Sequence, residues 1–321
     1  MRSCLAVLFL GAVLQAQDGR LLRLERAIPM PNVEGRIDHL AVDVKGRRLF
    51  VAALGNHTIE VIDLAGGKVT HSIKGLGEPQ GLYYLASKNE LFAADVADGT
   101  CRIYDAASCR LLNTVKLNAD ADNIRYDAAK NEVWVGYGEG ALGALDAAGK
   151  RAADVAFKGH PESFQLERSG TRIFVNVPDA GRILVIDRVK RSVIAAWPVA
   201  HAAANFPMAL DDAGRRLFTG CRKPSAALVF DTAAGRQVSS LEICGDTDDL
   251  FFDARRGRLY ISCGEGFLDV VDTGSYKRLE RIATAPGART SLFVPELDRL
   301  YLAVRRHDGH AAEIRVYSVR D

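Results

Sequence analysis

The sequence predicts an all-β, seven-bladed β-propeller whose last blade is closed by the N-terminal strand. Three observations carry that prediction: a strand motif recurring at a nearly constant step, a second marker keeping the same step, and one surplus strand near the N-terminus. The motif reads Arg48-Leu49-Phe50-Val51, Glu90-Leu91-Phe92-Ala93, Glu132-Val133-Trp134-Val135 and Arg172-Ile173-Phe174-Val175. It continues as Arg216-Leu217-Phe218-Thr219, Arg258-Leu259-Tyr260-Ile261 and Arg299-Leu300-Tyr301-Leu302. Its aliphatic anchors stand 42, 42, 40, 44, 42 and 41 residues apart. The second marker is an aspartate ending another strand, at Asp63, Asp105, Asp146, Asp187, Asp231 and Asp272, with Tyr317 in the last copy. Self-similarity at such a period is the signature of circular or stacked repeat folds.

Each unit holds short runs rich in Val, Ile, Phe and Tyr, separated by turn residues. In the first unit, 36–77, strands are expected at Leu40–Asp43, Leu49–Ala53, Thr58–Asp63 and Lys68–Ile73. Lys45-Gly46-Arg47 and Ala65-Gly66-Gly67-Lys68 supply the glycines and polar residues of tight turns. Further units follow over approximately 78–119, 120–159, 160–203, 204–245 and 246–286. Four strands per repeat of this length make one propeller blade. The seventh unit, 287–321, offers Ser291–Val294, Leu300–Val304 and Glu313–Tyr317 but no fourth strand. The segment Leu21–Met30, within 20–30, fills that place, so that hydrogen bonding between the two ends leaves no open junction. Residues 17–321 read as a single domain.

Composition agrees with a folded globular chain. Of 321 residues, 48% are hydrophobic and 26% charged, with a formal net charge of +2. That balance excludes a disordered or collagenous protein and gives no basic footprint for nucleic acid. Met1-Arg2, the apolar run Leu5–Leu14 and Leu14-Gln15-Ala16 follow the order of a secretory signal peptide over 1–16. The apolar run is shorter than the ~20 residues that span a bilayer, so a periplasmic or extracellular monomer without a membrane span is expected. Removing 1–16 leaves Cys101, Cys109, Cys221, Cys244 and Cys263, an odd set with no Cys-x-x-Cys. They read as small buried thiols, with Cys244–Cys263 the first pair to test for a bridge.

The repeat resembles the bacterial YVTN-type β-propellers, including the YncE-like exported proteins. The likeness rests on Leu49-Phe50-Val51-Ala52-Ala53, then Asn56-His57-Thr58-Ile59-Glu60-Val61-Ile62-Asp63 and Gly67-Lys68-Val69. The aromatic-aliphatic half of the family's strand is kept, whereas its Thr-Asn half is replaced by Ala52-Ala53, Ala93-Ala94 or Gly136-Tyr137. The resemblance implies architecture, because propellers of this type carry unrelated activities. The Gly-His and Trp-Asp marks of WD40 repeats are absent.

Chemistry is expected on the face where the loops into each first strand and those between second and third strands emerge, around the mouth of the central channel. Eleven residues before each anchor stand Asp38, Gln80, Asp122, Glu162, Phe206, Asp248 and Arg289. The next position carries His39, Gly81, Asn123, Ser163, Pro207, Asp249 and Thr290. Two before the first ring stand Arg36, Glu78, Asp120, His160, Ala204, Asp246 and Gly287. A purely structural position would keep one residue type around the ring; these diverge. The expected ligand-binding set is Asp38, His39, Gln80, Asp122, Asn123, His160, Glu162, Asp248 and Arg289. Carboxylates crowded in a channel need compensation. Asp38, Asp122, Glu162 and Asp248 could hold Ca²⁺ or another divalent cation, or Arg36, Arg125 and Arg289 could neutralise them.

Loop charge adds a basic arc, Arg222-Lys223 and Arg305-Arg306-His307, beside Asp95, Asp98, Glu139 and Glu265. That arrangement could hold an anion. Gly-x-Ser-x-Gly, His-Glu-x-x-His and P-loop patterns do not occur. The reading is a module that binds a small molecule or protein at the mouth. The alternative is a metal-dependent lactonase or related hydrolase, a chemistry known in similar propellers, with His39 or His160 accepting a proton.

Overall fold

The computed structural model describes residues 20–146 and 148–321, so the expected signal segment lies outside the described residues. Seven four-stranded antiparallel sheets follow one another along the chain. Blade 1 runs Leu40–Asp43, Arg48–Ala53, Thr58–Asp63 and Lys68–Ile73 from the axis outward. First strands touch their neighbours in an unbroken circle, blade 7 meeting blade 1. Blade 7 combines Ser291–Val294, Arg299–Val304 and Ala312–Val319 with the N-terminal strand Leu22–Met30. That strand pairs antiparallel with Ala312–Val319, from Leu22 opposite Val319 to Met30 opposite Ala312.

The repeated residues have separate structural tasks. Second strands are buried almost throughout, whereas the fourth strands face solvent along most of their length. Among the described residues the buried apolar side chains form seven clusters, each drawn from two adjacent blades. The core is therefore a set of inter-blade seams. The motif aromatic sits in these seams, as where Phe50 stacks on Tyr84 of the next blade at 5.7 Å between centroids. The motif arginine is a latch: Arg172 reaches the Thr232 carbonyl of the following blade at 2.5 Å, and Arg258 reaches that of Arg320 at 2.5 Å.

The periodic aspartates shape the hairpin between third and fourth strands. Asp231 accepts the backbone N–H groups of Ala233 and Ala234, both at 2.9 Å, and Asp187 does the same for Val189 and Lys190. Such bonds mimic a backbone turn and tighten the hairpin. Tyr317 breaks the series for a topological reason. Its strand pairs with Leu22–Met30, which takes the place of a fourth strand reached through a hairpin.

Candidate ligand-binding mouth

The segments entering the first strands converge on a cavity of about 230 Å³. Asp38, Gln80, Asp122, Glu162, Phe206, Asp248 and Arg289 line it, one from each blade. Arg36, His39, Asp120 and His160 complete the wall from the neighbouring positions, together with Arg222 from a loop between second and third strands. Eight of the nine residues expected at the mouth thus meet there. Asn123 does not. It lines the wider cavity, of about 550 Å³, together with Gly81 at the equivalent position of blade 2 and with Ile124 and Arg125. From there its Nδ2 donates to Asp122 Oδ2 at 3.2 Å. His39 lines both spaces and stands between them.

The two sides of the mouth differ in charge. On one side, Arg36 donates to Asp38 Oδ2 at 2.7 Å. Asp248 is held by Arg222 at 2.5 Å and by Arg289 at 2.9 Å, while Asp246 takes Arg289 at 3.0 Å and Arg222 at 3.3 Å. The Arg222 guanidinium lies 4.0 Å from the centre of the Phe206 ring, so the one apolar member of the ring serves as a platform for a cation. Burial pushes the Asp248 carboxyl up and neighbouring Asp38 adds to this, while Arg289 and Arg222 oppose it, leaving it at about 6.

On the other side, Asp120 lies 3.2 Å from His160, whose Nδ1 donates to the Gly138 carbonyl at 2.7 Å. The ion pairs of the mouth leave out Asp122 and Glu162. Burial, then repulsion from Glu162, pushes the Asp122 carboxyl up to about 7. Burial, then Asp248, does the same to Glu162. Asp122 is only 5% exposed, and its Oδ1 has no hydrogen-bond partner. At the base, His39 lies 3.6 Å from Asp249 and 3.7 Å from Asp38. Burial alone would lower its pKa; Asp249 and then Asp38 outweigh that and raise it to about 10.

The expected divalent-cation set does not form a joint ligand sphere. Asp38 and Asp248 are occupied by arginines. Among the described residues no three His, Cys, Asp or Glu side chains group closely enough to hold a metal ion. Arg125, expected as a possible partner of the acids, instead donates to the Ile124 carbonyl and to Ser163 Oγ.

The charged loops resolve into two kinds. Asp95 is fully buried and accepts the N–H groups of Gly77 and Glu78 at 2.8 and 2.7 Å; Asp98 pairs with Arg102 at 2.7 Å, and Glu265 accepts from Gly245 at 2.7 Å. These acids fasten loops rather than face a ligand. Arg222, by contrast, belongs to the mouth, and Arg305 lines an adjoining cleft of about 200 Å³ with Arg36, Arg289 and Asp246. A sequence signal for both arginines exists. The position five beyond each anchor reads Leu54, Val96, Gly138, Pro178, Arg222, Gly264 and Arg305, charged in these two blades only.

Cys244 and Cys263 are joined by a disulfide; Cys101 and Cys221 are buried free thiols and Cys109 is half-buried. The bridge ties the segment carrying Asp246 and Asp248 to the end of the second strand of blade 6. Fold and site together define a seven-bladed β-propeller with a mixed-charge channel mouth. No protein-family model and no curated protein matches the chain.

Proposed function

We propose that this chain is an exported propeller of the YVTN type that binds a small polar solute at its channel mouth and does not transform it. The observation that carries this reading is the mouth cavity itself, to which all seven blades contribute unlike side chains, most of them polar. A ring needed only for packing would repeat one residue type, as the latching arginine and the turn aspartate largely do. Concave sites with a few convergent polar groups are the usual form of small-molecule sites. The arginines engaged by Asp38 and Asp248 weigh against a hydrolytic metal centre, since two of the four candidate ligands are already neutralised. The signal-like order of residues 1–16 supports export.

The test is a melting-temperature screen of cationic, neutral and anionic solutes on the wild type and on the double variant Asp122→Ala/Asp248→Ala. A solute that raises the wild-type midpoint and leaves the double variant unmoved supports the reading. A double variant that melts far lower, with no solute shifting either protein, makes the ring structural.

A further inference from the structure

We propose that the Asp122–Glu162 side of the mouth takes a small organic cation bearing N–H donors, an alkylammonium or a guanidinium. This rests on the mouth being a binding site and adds the class of ligand. Asp122 lines the cavity and keeps one carboxylate oxygen, itself closed off from solvent, without any hydrogen-bond donor, so that a turn of the carboxyl presents it to a ligand. A buried acceptor left unpaired costs on the order of a hydrogen bond's full desolvation, and a donor arriving with the ligand removes that cost. Glu162 faces the same cavity and is left out of its ion pairs. Two neighbouring carboxylates that enter no ion pair among the described residues, and that stay raised although charged His39 stands near both, attract a further cation.

The identity of that cation follows from geometry. A bare metal ion needs several donors gathered around one point, and no such group of three forms among the described residues. An ammonium or guanidinium carries several N–H groups in different directions and can meet separate acceptors. Gln80 also lines the cavity, and its side-chain amide carries an oxygen able to accept a hydrogen bond. An anion is disfavoured because Arg36, Arg222 and Arg289 are already bound to Asp38, Asp246 and Asp248. A space of about 230 Å³ suits a ligand of a few heavy atoms.

Protons and this cation compete for the same oxygens. Glu162, His39, Asp38 and His160 face Asp122; Asp248, His39, Arg222 and Asp38 face Glu162. With both carboxyls raised toward neutrality, the pair is deprotonated for binding at pH 8 and protonated at pH 5. Affinity therefore falls as pH falls, and binding releases protons.

Calorimetric titration of the purified chain with 1,4-diaminobutane and with methylguanidinium, against calcium chloride and succinate, tests the proposal. At least one of the two organic cations is expected to bind at one site at pH 8, at least tenfold more weakly at pH 5. Asp122→Asn and Glu162→Gln, which keep side-chain size, are each expected to weaken it at least tenfold without lowering the melting temperature. Cation affinity unchanged in both variants overturns the assignment. Binding of calcium or succinate alone, lost in Asp122→Ala/Asp248→Ala, also overturns it while leaving the mouth a binding site. If no solute binds and both isosteric variants melt well below the wild type, the cation assignment and the binding reading fall together.

Discussion

Asp122 and Glu162 store protons that the unfolded chain gives up near pH 4. A carboxyl raised on folding stabilises the native state at low pH, and that contribution is lost as pH climbs through the folded value near 7. Asp122→Asn and Glu162→Gln should therefore raise stability at pH 8, by on the order of 1–3 kcal/mol together, and change it little at pH 4. Urea denaturation at both pH values checks this; equal effects at the two would mean that the carboxyls are not strained by charge. His39 obeys the same rule at higher pH. Its elevated pKa adds stability that persists below pH 6.5 and disappears above about 10. At this scale the sequence was informative about positions and, for Arg36 and Arg289, about partners, whereas Arg125 makes no ion pair with the acids. The eleven-before-anchor alignment found Asp122 and Glu162, because repetition fixes where each blade aims that position. It did not separate Asp122 from Asp248, since Arg222, which joins Arg289 on Asp248, arrives from a different loop of another blade.

At the scale of elements, the segment Cys244–Asp248 joins the last strand of blade 5 to the first of blade 6 and carries two of the mouth's paired acids. The disulfide closes a loop with a sequence separation of 19. In chain-entropy terms such a bridge contributes about 3 kcal/mol. The Cys244→Ser/Cys263→Ser variant is expected to lose that much in guanidinium denaturation. Hydrogen exchange should rise first at Gly245 and Asp246, whose turn the bridge pins. A variant as stable as the wild type would show the bridge to be dispensable. Strands and hairpins were legible to within one or two residues: Leu40–Asp43, Thr58–Asp63 and Lys68–Ile73 stand as expected, while the last strand extends from the expected Glu313–Tyr317 to Ala312–Val319. Alternation and turn glycines fix where strands begin. The end of a strand depends on its partner, here the N-terminal strand, which local sequence does not show.

The whole molecule is a ring of seams rather than a body with one centre. Each apolar cluster joins two blades, and the seam between blades 7 and 1 includes Ile28 and Met30 from the N-terminal strand. Closure thereby converts seven marginal sheets into one fixed circle, and only a fixed circle can hold residues more than 200 positions apart, such as Asp38 and Arg289, around one small cavity. The circle was readable in advance from the repeat count and the surplus strand; the unequal charge of its two sides was not, because much of it arises from ion pairs between loops of neighbouring blades. The most direct measurement is a crystal structure grown at pH 8 with 1,4-diaminobutane. The expected result is seven blades latched by Leu22–Met30, with ligand density at the mouth and a nitrogen within hydrogen-bond distance of Asp122 Oδ1. A different blade number, or a mouth in which arginines fold over Asp122 and Glu162 and the ligand binds elsewhere, would contradict it.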